Sequence, residues 1–255
     1  MREIGRVKIL GVLAGAGLAL LLAGCVTNEL TGRSQFIAMS EGELSQLSAN
    51  AWTETKQKTP ISKDAAAQAR VKRVGLRIAD AAGLANQPWE FVVFDTPDRN
   101  AFVLPGGKVG VYKGLLDLTD NDDQLAAVLG HEVGHVTGRH ALERASQTTY
   151  TQLGLAVGQA AGAQIGVPPQ AGALLGLGAQ YGLLLPYSRL HETEADRIGV
   201  DYMVKAGYRA GESVHFWEKM LAAEQGPRPP QILSTHPDPT NRITALKTYI
   251  ASKGY

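Results

Sequence analysis

Cysteine is nearly missing. The 255-residue chain has one, Cys25, so no disulfide can close within it. Aromatic residues are scarce at 6%, against 29 glycines, so small side chains must do much of the packing. Neither sign of charge dominates. With 25 Lys and Arg against 24 Asp and Glu, the chain lacks the basic surface on which nucleic-acid binding depends. It has no internal repeat and no low-complexity tail, which excludes solenoid and helical-repeat modules. What is present suits a folded chain: 44% of residues are hydrophobic and 19% charged, over a length that can bury a sizeable core.

The N-terminus reads as a targeting segment. Arg2, Arg6 and Lys8 precede a 14-residue apolar run, Ile9 to Leu22. That run is short of the roughly 20 residues a membrane span needs, and fits a signal-peptide core. Leu22-Ala23-Gly24-Cys25 follows and resembles a bacterial lipobox, with the chain's one cysteine at the lipid-accepting position. The expected division is a lipoprotein signal peptide over 1–24, a polar lipidated tether over 25–34, and a single domain over 35–255. By similarity to Gram-negative lipoproteins, Val26 rather than Asp after the cysteine favours the outer membrane. The expected location is the bacterial cell envelope, anchored through lipid on Cys25 and facing the periplasm.

Local signals give a mainly helical α+β fold. Ser40 with Glu43 matches a capping box and opens a helix to about Lys58. A second helix is expected from about Ser62 to Gly83, with Val71, Val74 and Ile78 on its buried face. Trp89–Asp95, Ala101–Leu104 and Val109–Tyr112 read as strands, with Pro105-Gly106-Gly107-Lys108 as a turn, so the sheet is small. Asn121 with Gln124 caps a helix expected to run unbroken to about Arg144. Residues 152–186 read as tightly packed Ala/Gly helices, with a substrate-gating flap as the other reading. Helices are also expected over Arg189–Ala206 and Ser213–Gln225, and a last one from Asp238 as N-cap with Pro239 at its first turn.

The chemistry concentrates in His131-Glu132-Val133-Gly134-His135. Positions i and i+4 share a helical face, so two imidazoles there can hold one metal ion, and nitrogen donors suit zinc. Glu132 between them can serve as general base. A catalytic zinc needs a third protein ligand, and three candidates exist: His140, His191 and Glu192. His140 sits one residue too close for the metzincin spacing. Glu192 shares a helical face with Asp196, so one carboxylate can bind the ion while the other orients a ligand histidine.

HExxH followed by Ser188-Arg189-Leu190-His191-Glu192-Thr193-Glu194-Ala195-Asp196 resembles the HtpX and CAAX-prenyl-protease family of zinc metallopeptidases, which are gluzincins. Asn100–Gly107, Lys113–Leu116, and Ser234-Thr235-His236-Pro237 with Arg242-Ile243 extend the resemblance to about residues 28–250. It implies a gluzincin-type fold with a small sheet beside the HExxH helix, and one zinc ion per chain held by His131, His135 and Glu192. It also implies Glu132 as base, Asp196 as partner of His131, and His236 as an active-site histidine. His236 would either donate to the oxyanion or occupy the open zinc position. The strand Ala101, Phe102, Val103 and Leu104 would bind an extended peptide by edge addition. The expected function is a membrane-anchored zinc metalloendopeptidase acting on misfolded or unassembled envelope proteins, in contact with outer-membrane assembly machinery. The rival reading is a chaperone-like assembly factor with secondary protease activity. No nucleic-acid partner is expected.

Overall fold

The computed structural model describes residues 25–163, 188–224, 236 and 239–255. The signal-peptide segment, most of the Ala/Gly segment 152–186 and the capping residue Asp238 lie outside them. The N-terminal hairpin pairs β1 (Cys25–Thr27) with β2 (Ser34–Phe36), antiparallel. Then come α1 (Glu41–Lys58), α2 (Ala65–Ala81), β3 (Glu90–Phe94), β4 (Ala101–Leu104), β5 (Lys108–Tyr112) and the short α3 (Lys113–Leu116). The chain continues through α4 (Asp122–Thr137), α5 (His140–Ala163), α6 (Arg189–Lys205), α7 (Gly211–Glu224) and α8 (Pro239–Lys253). Among the described residues no helix is long and apolar enough to cross a membrane.

The capping box at Ser40 and Glu43 is formed, each side chain bonding the other's backbone N–H. The second helix starts later than expected, because Asp64 caps it by accepting from the amides of Ala66 and Ala67. The sheet has the order β3-β5-β4, with β3 parallel and β4 antiparallel to β5. Gly106 and Gly107 make the β4–β5 turn with φ of 85° and 75°, a region that side-chain-bearing residues avoid.

Helix α4 is the centre of the fold. Asn121 caps it through the Gln124 amide, and every residue from Gln124 to His135 is buried. Arg70 and Arg73 of α2 hold its first residue, Asp122, at 2.9 and 2.8 Å. Helix α6 crosses it with almost nothing between the two backbones. A Cβ on Gly130 would lie 2.8 Å from the Gly199 carbonyl oxygen, and one on Gly134 would lie 2.8 Å from that of Ala195. Around this crossing, Val74 and Ile78 of α2, Val111 of β5, Met203 of α6 and Phe216 of α7 complete one core.

One expectation needs correction. The α4 helix does not run to Arg144. It ends at Gly138, Arg139 adopts φ of 54°, and α5 begins at His140. In a continuous helix His140 would point about 140° away from His135. The left-handed residue folds it back, so that the Nδ1 atoms of His135 and His140 lie 2.9 Å apart. Residues 25–34, read from the sequence as a tether, lead into a hairpin that bonds the end of α4. Asn28 Nδ2 donates to the Thr137 carbonyl at 3.2 Å, and Gln35 Nε2 to that of Gly138 at 2.7 Å. Both serve carbonyls that the end of α4 leaves without helical partners.

The crossing predicts a sharp contrast between glycines. Gly199→Leu forces side-chain atoms into the His131 amide and the Gly130 carbonyl, and should destabilise by at least about 1–3 kcal/mol. Gly42→Ala, where a Cβ meets nothing within 4 Å, should be neutral or stabilise by up to about 1 kcal/mol. Chemical denaturation of the two variants checks both.

Candidate metal centre

Helix α4 presents His131 and His135 one turn apart, and α6 presents Glu192 against them. The Nε2 atoms of the two histidines lie 3.0 Å apart. Glu192 oxygens lie 3.3 Å from His135 Nε2 and 3.5 Å from His131 Nε2. His236 Nδ1 completes the group, 3.2 Å from His131 Nε2 and 3.0 Å from Glu192 Oε1. Four donors arranged as a tetrahedron at zinc–nitrogen bond lengths stand about 3.3 Å apart, so these edges match. All four residues are buried, and together they can hold one metal ion.

The protons argue the same way. His131 Nδ1 donates to Asp196 Oδ1 at 2.9 Å, which leaves its Nε2 as a bare lone pair. His135 Nδ1 is engaged by His140, and its Nε2 faces Glu192 Oε1 and His131 Nε2. With each ring carrying its proton on Nδ1, the two Nε2 atoms, 3.0 Å apart, can both give a lone pair to one cation. Burial, with Arg242 adding for His131, lowers the pKa of both histidines and keeps them neutral, the form that binds metals. Burial works against the Glu192 charge, but His236 and Arg242 outweigh it and hold its carboxyl well below the usual range.

Arg242 of α8 supports the acidic side. Its Nε and Nη2 donate to the two oxygens of Asp196 at 2.8 and 2.6 Å, and its Nη1 pairs with Glu192 Oε2 at 2.7 Å. The guanidinium lies 3.7 Å over the Trp217 ring, a stacking contact available to arginine and not to lysine. Glu132 differs from the other carboxylates. Its Oε1 is buried without a hydrogen bond, and His236 Nε2 is 3.5 Å away. Burial pushes its carboxyl up to about 7, the His236 charge opposing and the Glu192 charge adding to the rise. A carboxylate poised near neutrality can take a proton and give it back.

The strand β4 borders this centre. It is the outer strand beside β5. Tyr112 N donates to the Asn100 carbonyl, so in this register Asn100, Phe102 and Leu104 turn their backbone groups to β5. Those of Ala101 and Val103 point outward, and the Val103 amide faces the Glu132 carboxylate. A 670 Å³ cavity opens beside His135 and Val103, with Leu44, Leu84 and Leu142 in its walls.

The structure thus brings together His131, Glu132, His135, Glu192, Asp196 and His236, with 101–104 alongside. Cys25 is exposed at the start of β1. His140 and His191 are not in the donor group. His140 bonds Glu194 Oε2 at 3.0 Å, and His191 bonds Glu143 Oε2 at 3.1 Å. Sequence reasoning gave Arg242 no role of its own, although the residue belongs to the C-terminal segment that carries His236. Arg33, which reaches both Glu143 and Glu194, gave no sequence signal, because its partners are 110 and 161 residues away.

Residues 65–250 match the model of peptidase family M48. The chain is 38% identical over 181 residues to mitochondrial metalloendopeptidase OMA1 of Schizosaccharomyces pombe, covering 71% of this chain and 52% of that protein. It is 31% identical over 220 residues to the beta-barrel assembly-enhancing protease of Escherichia coli, covering 83% and 45%. It is 32% identical over 237 residues to the mitochondrial metalloendopeptidase OMA1 of Homo sapiens, covering 87% and 45%. The chain spans about half the length of these curated relatives. Sequence matches across most of the chain and a donor set built for zinc agree: the chain belongs to peptidase family M48, a family of zinc metallopeptidases.

Proposed function

We propose that the chain is a metalloendopeptidase that cleaves misfolded or unassembled cell-envelope proteins. His131, His135 and Glu192 hold the zinc ion, Glu132 is the general base, and Asp196 fixes the tautomer of His131. The observation that carries this reading is the convergence of histidine nitrogens and a buried carboxylate at tetrahedral spacing, with Glu132 beside them. Zinc, when held there, supplies Lewis acidity toward a peptide carbonyl and water.

The chain's own groups do the rest. An extended substrate pairs with the outward backbone groups of Ala101 and Val103, which fixes its register without selecting its side chains. Glu132 removes a proton from water and returns it to the leaving amine. Arg242 and Asp196 keep the His131 ring from rotating. Such backbone-led binding suits unfolded polypeptides of varied sequence. The N-terminal segment supports an envelope location, with lipid on Cys25 anchoring the domain to the outer membrane and facing it to the periplasm. The relative named for β-barrel assembly supports a place near outer-membrane assembly machinery.

His236 Nδ1 stands at the fourth corner of the donor group, so the resting enzyme is closed. Its move away frees the position for substrate, where it can then serve the oxyanion. Restraint of this kind fits a protease surrounded by proteins it must spare.

Three results are expected. Glu132→Gln keeps one zinc per chain and lowers cleavage of an unfolded protein by about 10²-fold or more, measured alongside metal analysis. Undiminished cleavage by a zinc-loaded variant would favour a different base. His236→Ala raises basal cleavage several-fold with zinc retained, whereas a fall would assign this residue to the oxyanion alone. Cys25→Ser abolishes incorporation of labelled lipid, and equal labelling of both proteins would remove the anchor.

A further inference from the structure

The polar groups behind His135 form a chain that leaves the metal centre and ends in the N-terminal hairpin. A neutral histidine that gives its Nε2 lone pair to a cation carries its proton on Nδ1. His135 Nδ1 therefore donates to His140 Nδ1 at 2.9 Å. Having accepted there, His140 carries its own proton on Nε2 and donates it to Glu194 Oε2 at 3.0 Å. Glu194 is gripped by Arg33, from Nε to Oε1 at 2.8 Å and from Nη2 to Oε2 at 3.1 Å. The other edge of the same guanidinium donates to Glu143, from Nη1 at 2.8 Å and from Nη2 at 2.6 Å. Glu143 also accepts from Gln35 Nε2 at 3.0 Å and His191 Nε2 at 3.1 Å.

From His135 through His140 to Glu194 each link has one proton and one acceptor and donation runs outward from the metal centre, and Arg33 donates to Glu194 from the far side. His140 is completely buried, and the side chains of Glu143 and Glu194 are largely so. Arg33 itself sits between the hairpin strands that carry Gln35 and Cys25, and Thr27 pairs with Ser34. Each of the two α4 histidines thus has an external orienting group ending in an arginine. His131 has Asp196 and Arg242; His135 has His140, Glu194 and Arg33.

We propose that Arg33 is a positioning residue for the metal site, and that through Glu194 and His140 the N-terminal hairpin fixes the ring orientation and tautomer of His135. This rests on the reading of His135 as a zinc ligand. The hairpin is then a working part of the centre. Glu194 acts as an orienting carboxylate rather than as part of a solvated acidic face. The break at Gly138 and Arg139 acquires a purpose, because it returns His140 to the back of His135. Arginine is needed because its planar fork serves two carboxylates at once, which a lysine ammonium cannot match.

The test is zinc affinity, read by competition with a chromophoric chelator on the full chain, with circular dichroism of the metal-free protein as the check on folding. Arg33→Met and Glu194→Ala should each weaken zinc binding by about 10–100-fold, the usual cost of losing a group that orients a ligand. The double variant should bind no more than about twofold more weakly than Glu194→Ala, because Arg33 acts through Glu194. The visible absorption of the cobalt-substituted protein should shift in both single variants. Zinc affinity of Arg33→Met within twofold of the native protein would overturn the proposal, as would losses that multiply in the double variant. Where Arg33→Met does not fold, Glu194→Ala decides alone, and unchanged affinity overturns the proposal. Glu192→Ala in the same titration separates the two levels. If it binds zinc as the native protein does, the ligand assignment itself fails; if it loses zinc, the result for Arg33 stands on its own.

Discussion

Gly130 and Gly134 of α4 lie against Ala195 and Gly199 of α6 with no large side chain between the helices. That contact sets the rest of the site. Two helices normally pack 8–10 Å apart because their side chains interleave. Small residues let the backbones approach, and the i, i+4 pairs on each helix then meet face to face. His131 and His135 come from one side, Glu192 and Asp196 from the other. A carboxylate side chain is short, so a few tenths of an ångström added at the crossing would take Glu192 out of reach of the histidine nitrogens. The scarcity of large aromatic side chains and the abundance of glycine and alanine are, at this point, a requirement of the chemistry.

Bringing so many polar groups into the interior has a desolvation cost that only partnership can offset. The partners are graded. Asp196 is saturated by His131 and Arg242, and Arg242 bonds that carboxylate with its edge and lays its face over the Trp217 ring. Glu143 and Glu194 share Arg33 and two histidines, and are lowered to about 2 because those hydrogen bonds outweigh burial. Among the described carboxylates Glu132 alone is left with a buried oxygen that no hydrogen bond satisfies, and its carboxyl stays near neutrality. The fold fixes the charge of the carboxylates that arginine holds and leaves the Glu132 proton labile, as its proposed role of general base requires.

The donor residues were legible because helical periodicity makes i, i+4 spacing a statement about geometry. HExxH and ExxAD each declare a shared face by their spacing alone, and the capping residue Asn121 marks where the HExxH helix begins. The ending of α4 was not legible, since nothing in the run through Gly138 and Arg139 forbids helix. The left-handed turn is imposed by the tertiary partners of His140. Arg33 was illegible for a similar reason. Its proposed role depends on two carboxylates far along the chain, and a polar residue after a lipobox-like cysteine reads as tether. Residues 152–186 read as core or flap, and the described part shows α5 running to Ala163.

The proposed chemistry requires that α4 and α6 together build a single zinc site. Its most direct test is anomalous diffraction at the zinc edge from crystals of the zinc-loaded chain. The prediction is one peak per chain, about 2.0–2.2 Å from His131 Nε2, His135 Nε2 and a Glu192 oxygen. A peak among His140, His191, Glu143 and Glu194, or one that leaves Glu192 unbound, would contradict it.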